Sequence, residues 1–130
     1  MDLPSEIVLL FDRDADLLVF ESFARATGWV EAIDVDEGEY TAAYSADGAV
    51  LALTAPEGPD GPVALVRTGL VDPGDLERRV ARYWRCHQTG QHPRDPVETA
   101  RYLIERDSRL RGSWSGRLTG MLRRGGEPLP

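Results

Sequence analysis

Lysine and asparagine are absent from this 130-residue chain, and arginine supplies all 15 of its cationic side chains. Without lysine there is no Schiff-base chemistry and no ordinary Walker phosphate loop, whose lysine reaches the β- and γ-phosphates. Both missing residues have A-rich codons and arginine has mostly G/C-rich ones, which points to a GC-rich bacterial genome rather than to selection for function. Cysteine occurs once, as Cys86. An internal disulfide is therefore impossible, a secreted disulfide scaffold is excluded, and a reducing compartment fits. Long apolar runs are missing too: nothing approaches the roughly 18 residues that span a bilayer. The opening segment MDLPSEIVLLFD puts no basic residue ahead of its apolar run. The expectation is a cytoplasmic protein without a membrane segment.

What is present in quantity is negative charge, and it is unevenly spread. Residues 1–66 hold 14 Asp/Glu against 2 Arg, a net of −12, whereas residues 67–130 hold 8 Asp/Glu against 13 Arg, a net of +5. Two arrangements follow from this split. Acidic loops of the first half can face arginine-rich helices of the second, each surface pair contributing about 0–1 kcal/mol. Alternatively, one of the two charged faces meets a partner.

The clearest structural signal is the stretch around Tyr40 to Thr54. Asp47-Gly48 separates two runs of period-two alternation and predicts a hairpin with a two-residue type I′ turn. In that register Tyr44 pairs with Leu51 and Ala42 with Leu53, so Tyr40, Ala42, Tyr44, Leu51 and Leu53 share the face that a helical layer would cover. Upstream, the apolar runs Ile7 to Phe11 and Leu17 to Phe20 flank a polar turn and predict two more strands. Ser22 predicts an N-cap for a helix through Phe23, Ala26, Val30 and Ile33 that Gly28 interrupts or ends. Ile33 to Val35 is expected to enter the sheet, with Asp36-Glu37-Gly38 as the turn into the central hairpin. Ala55 to Pro62 packs three prolines and two glycines into eight residues and predicts a loop. Val63 to Thr68 predicts the last strand.

The second half carries helix signals. Asp72 predicts an N-cap with Pro73 at the first helical position, and Leu76, Val80, Tyr83, Trp84 and His87 then fall on one helical face. Asp95, Pro96 and Glu98 repeat the start signal as a capping box ahead of Val97, Ala100, Leu103 and Ile104. Leu110, Trp114, Leu118, Met121 and Leu122 recur at helical spacing, but Gly112, Gly116 and Gly120 oppose a helix there by about 3 kcal/mol in total. Residues 110–130 are expected to form a basic, glycine-rich tail packed on the domain or on a partner. The fold class expected is a single α+β domain: an antiparallel meander of four to six strands, mostly within residues 7–68, covered on one face by two or three C-terminal helices.

Several motifs bear on chemistry. Leu10-Phe11-Asp12-Arg13-Asp14 resembles the nucleophile strand of haloacid-dehalogenase-type phosphatases, in which an apolar strand ends in Asp-x-Asp. That resemblance implies a phosphoryl-transfer aspartate at the head of the Asp-x-Asp, yet after the small residue Ala15 the pattern calls for Thr or Val where Asp16 stands, and the family's later lysine is missing. Asp12, Asp14 and Asp16 also occupy positions 1, 3 and 5 of a calcium loop, but Leu17 and Phe23 replace its glycine and its glutamate. A solvated hairpin turn is the stronger reading. Asp34, Asp36, Glu37 and Glu39 form a second acidic cluster, better suited to docking a basic partner than to acid–base catalysis. Cys86 and His87 diverge by about 100° on a helix and cannot act as a pair, and Cys-His-x4-His, ending at His92, has no zinc spacing. Cys86 is expected at the buried border of the stripe and His87 as a packed histidine. Arg78, Arg79, Arg82 and Arg85 share one side of their helix and could hold an anion or an acidic surface. There overall acidity disfavours nucleic acid, and an RNA or anionic-membrane contact through Arg109, Arg111, Arg117, Arg123 and Arg124 is a third possibility, which predicts steep salt dependence.

No catalytic group, metal or cofactor is assigned. The expected function is a small acidic bacterial protein-binding module of the immunity or inhibitor type, blocking a basic partner through Asp34, Asp36, Glu37 and Glu39. The alternative is a small-molecule-binding domain or small enzyme with a pocket between sheet and helices lined by Tyr40, Tyr44, Tyr83, Trp84 and His87. A homodimer is compatible with either.

Overall fold

Alternating apolar residues, mostly of the first half, build an antiparallel sheet with two short helices on one face, and the arginine-rich second half supplies the two long helices that cover the other. The structure, a computed structural model, describes residues 6–113, with side chains through residue 107. Its elements are β1 (Val8–Asp12), β2 (Leu17–Phe20), α1 (Phe23–Trp29), α2 (Ala32–Asp36), β3 (Tyr40–Ser45), β4 (Ala49–Thr54), β5 (Ala64–Val71), α3 (Pro73–His87) and α4 (Pro96–Ser113). The five strands lie in the order β2-β1-β3-β4-β5 with every neighbour antiparallel. The last three form a meander, and the chain returns from β2 through α1 and α2 to lay β3 beside β1. This is the α+β class expected, with α3 and α4 over one face.

β1 is buried from Val8 to Phe11 because both of its faces are covered. Its Leu9 and Phe11 join Ile7, Tyr44, Leu76, Val80, Tyr83, Trp84, Ala100 and Leu103 in the core beneath α3 and α4. Its Val8 and Leu10 join Ala26, Val30, Ala43, Leu51 and Leu65 in a second core on the side of α1. Each large side chain so buried contributes roughly 1.5–3 kcal/mol. The helix starts follow their caps. Ser22 Oγ accepts from Arg25 N, Asp72 from Asp75 N, and Asp95 and Glu98 form a reciprocal capping box at 2.7 and 3.3 Å.

The central hairpin differs from expectation by one residue. Tyr44 pairs with Val50 and Ala43 with Leu51, so the turn has three residues, Ala46 to Gly48. Gly48 N donates to Ser45 O at 3.1 Å and Gly48 has φ +95°, a type I turn closed by a left-handed glycine. Ser45 selects this form: its hydroxyl bonds the Asp47 carboxylate and accepts from Ala49 N at 3.1 Å. A one-residue slip exchanges the faces of a strand. Leu51 and Leu53 therefore lie on the α1 side, and Val50 packs under α3 and α4 beside Tyr44.

Three other expectations change. Ile33 to Val35 does not enter the sheet but lies in α2, a short surface helix that ends in exposed Asp36 and is capped by exposed Glu37. β5 continues past Thr68 to Val71. Cys86 is exposed rather than buried at the stripe border. α4 extends through Leu110 and Gly112 to Ser113, while Trp114, the remainder of the expected tail and the side chains of Arg109, Arg111, Arg117, Arg123 and Arg124 lie outside the described residues. Among those described, no helix is long and apolar enough to cross a membrane.

Candidate functional site

Strand directions decide which loops meet. Asp12 at the end of β1 pairs with Tyr40 at the start of β3, and Thr54 at the end of β4 pairs with Ala64 at the start of β5. The β1–β2 turn, the α2–β3 turn and the Ala55 to Val63 loop therefore share one end of the sheet. They bring Asp12, Asp14 and Asp16, then Asp34, Asp36, Glu37 and Glu39, then Glu57 and Asp60, to that end.

Short-range chemistry shapes the first of these turns. One oxygen of Asp12 accepts from the backbone N–H groups of Asp14 and Asp16 at 2.9 and 3.0 Å, and Ala15 takes φ +63° to close the loop. This is an Asx turn. The Asp-x-Asp motif thus spends its leading carboxylate on the backbone of a hairpin, which is the solvated-turn reading of the phosphatase-like stretch. Arg13 ties the turn to the next: its backbone N–H donates to Glu39 O at 2.9 Å and its guanidinium sits 3.2 Å from the Glu39 carboxylate. Carboxylate oxygens of Asp12, Asp14 and Glu39 come within 4.8 Å of one another, with Asp14 exposed. Arg13 and the two turn amides offset much of that repulsion.

The second acidic stretch follows α2. Asp34 and Glu39 are half-buried, Asp36 and Glu37 are exposed, and Gly38 at φ +77° turns the chain into β3. Ile33, on the same short helix, leaves 46% of its surface in water. Of the four acids expected to bind a partner, Glu39 is the one that Asp12 and Asp14 join across Arg13, while Asp34, Asp36 and Glu37 precede it on α2 and its turn. The ion pairs Arg13–Glu39, Arg25–Glu21, Arg78–Asp75 and Arg79–Asp75 each join residues of the same half. Arg78 and Arg79 neutralise an acid on their own helix rather than an acidic loop of the first half.

The aromatic set divides. Tyr44, Tyr83 and Trp84 are buried together beneath α3 and α4, and their polar tips are engaged: Tyr44 donates to Asp75, Gln88 Nε2 donates to the Tyr83 hydroxyl at 2.9 Å, and Trp84 Nε1 donates to Thr99 Oγ1 at 2.9 Å. Tyr40 packs against the opposite core. The register shift between Phe11 and Asp12 accounts for it, because a bulge breaks the alternation that would put Tyr40 on the Tyr44 face. His87 lies at the exposed end of α3, stacked on Tyr83 at 5.7 Å, with Nε2 2.9 Å from Asp14 O. It anchors the acidic turn to the helix.

Burial raises the Tyr83 hydroxyl above its ordinary value. Burial, and then the hydrogen bond to Asp75, push Tyr44 up to about 12. The same bond, reinforced by Arg79, holds Asp75 below the usual carboxylate range. Both tyrosines are thus kept neutral, as structural groups are.

Thr99 and Asp75 were not singled out from sequence as partners of Trp84 and Tyr44. Thr99 lies four residues before Leu103 on the buried stripe of α4, a position where a hydroxyl must find a donor or acceptor. No protein-family model, curated protein or solved structure matches the chain.

Proposed function

We propose that this chain is a non-enzymatic protein-binding module of the inhibitor or immunity type, which blocks a basic partner with the acidic end of its sheet. The observation that carries the reading is the convergence of three acidic loops at that end, with Asp14, Asp36 and Glu37 exposed. Such a field steers a cationic partner into encounter and disfavours nucleic acid and other polyanions. Ile33, exposed among the acids of α2, supplies the apolar contact around which a charged rim is useful. The burial of Tyr44, Tyr83 and Trp84 with their polar tips engaged makes them core packing and puts the small-molecule reading second.

The test is retention of a basic protein from source lysate by the full chain at low salt, with Asp36→Lys/Glu37→Lys as the paired bait. A partner held by the wild-type chain, lost from the variant by tenfold or more and released by salt supports the reading. Recovery of no specific partner, or of one that binds both baits equally, overturns it.

A further inference from the structure

Of the five large apolar side chains that are exposed among the described residues, three lie on one strand: Val66 at 54%, Leu70 at 66% and Val71 at 71%. That strand, β5, is an edge of the sheet, and its residues from Val66 to Val71 are all exposed. The opposite edge is sheltered, since β2 packs against α4 and α1 and has no exposed residue. Natural edge strands are protected by lysine, proline, inward charges or cover, because an open edge offers its backbone to any second strand. In a chain with 28% charged residues, β5 carries one charge, Arg67, and Arg67 is turned over the ring of Phe23 at 5.5 Å.

We propose that β5 is the contact strand of a homodimer, lying antiparallel to β5 of a second copy across a twofold axis near Thr68. The inference goes beyond the acidic-end reading and does not rest on it. Three observations select a second copy as occupant. Val66 and Leu70 are equally spaced about Thr68, so a twofold there sets Val66 of each copy opposite Leu70 of the other and covers both, as an isologous interface requires. Antiparallel pairing also sends the two acidic ends to opposite poles of the dimer, whereas contact between acidic ends would oppose like charges. Finally, Thr68 satisfies the irregular part of the strand internally: its hydroxyl donates to Val50 O at 2.8 Å and accepts from Leu70 N at 3.1 Å. A twofold near Thr68 lays the straight edge before it, Ala64 to Arg67, against Gly69 to Asp72 of the second copy. The bend at Gly69, φ +88°, limits the length of that ladder, so association is expected at about micromolar concentration rather than as a permanent dimer.

Sedimentation velocity on the full chain tests this. The wild-type chain should move from one 14.4 kDa chain to about twice that mass as concentration rises through the micromolar range. Val66→Lys/Leu70→Lys should remain a single chain at every concentration, and because both positions are exposed its thermal midpoint should equal that of the wild-type chain at concentrations where the wild type is also single. If the double variant misfolds, Leu70→Lys alone gives the same reading with one change. In a Cys86→Ser background, Val66→Cys mixed with Leu70→Cys should yield a disulfide-linked pair under mild oxidation. A wild-type chain that stays single to about millimolar concentration overturns the proposal, as does a dimer that survives the lysine variants. A dimer abolished instead by Asp36→Lys/Glu37→Lys would assign self-association to the acidic end and also overturn it.

Discussion

The hydroxyl of Tyr44 on β3 donates a hydrogen bond to the carboxylate of Asp75 in the first turn of α3, and Arg79 closes the same carboxylate from the next turn at 2.7 Å. Arg79 also reaches Thr41 at 3.3 Å, so the group joins α3 to the sheet at two points. Tyr44 is pushed up to about 12 from 10.0. The folded state therefore holds the phenolic proton more tightly than the unfolded chain, and this contribution is complete below pH 10 and lost as pH rises toward 12. Asp75 is held down, so its contribution is present above the ordinary carboxylate value of 3.8 and is lost as pH falls through the lowered value. Tyr44→Phe should cost about 1–3 kcal/mol at neutral pH. It should also reduce the alkaline loss to the part that buried Tyr83 still contributes, and move the acid unfolding midpoint to higher pH, both read by urea titration across pH.

Trp84 and Thr99 set up a second test, between α3 and α4. Both are buried, the indole N–H donates to Thr99 Oγ1 at 2.9 Å, and Thr99 in turn contacts Arg94 O at 3.2 Å. Thr99→Val keeps the shape and removes the acceptor, leaving a buried N–H without its partner. A loss of about 1–3 kcal/mol is expected in chemical denaturation. Thr99→Ser keeps the hydroxyl and should recover most of it.

The capping box of α4 gives a smaller and more local effect. Asp95 accepts from Glu98 N at 2.7 Å, and Glu98 reaches back to Asp95 N at 3.3 Å. Asp95→Ala should cost about 1 kcal/mol. Amide exchange should rise first at Val97 to Thr99, while β1 and β3 keep their protection.

Much of this architecture was legible because local signals and burial agree. Ser22, Asp72 and Asp95 start the three longer helices where their side chains predict, and the α3 stripe from Leu76 to Trp84 is the buried stripe. The misplacements have definite physical sources. Asp-Gly suits a two-residue turn and a three-residue one with glycine last, and the Ser45 hydroxyl, not the dipeptide, decides between them. Ile33 to Val35 has strand-like residue types, but its backbone closes on itself, Val35 N donating to Glu31 O and Glu37 N to Ile33 O, and so lies in α2. Tyr40 departs from the Tyr44 face through a bulge that no alternation pattern announces. The acidic cluster was readable as a list of residues. Its union with the β1–β2 turn depended on β3 lying beside β1, a long-range pairing that spacing does not encode.

Gly48 tests the corrected turn directly. Two independent constraints meet there: its φ of +95°, and a backbone so close to α3 that a Cβ would lie 3.0 Å from Pro73 Cα and Cβ. Its carbonyl also accepts from Asp72 N at 2.8 Å, so the residue cannot move away without releasing the helix start. Gly38 shares the left-handed backbone at φ +77° but has nothing within 4 Å of its added Cβ. Gly38→Ala should therefore carry the backbone cost alone, about 1 kcal/mol. Gly48→Ala should carry that cost plus displacement of Pro73, bringing it to about 2–4 kcal/mol and unfastening the N-terminal turn of α3. Equal losses for the two variants in thermal or urea denaturation would mean that Pro73 yields freely, and that the hairpin turn does not hold α3 in place.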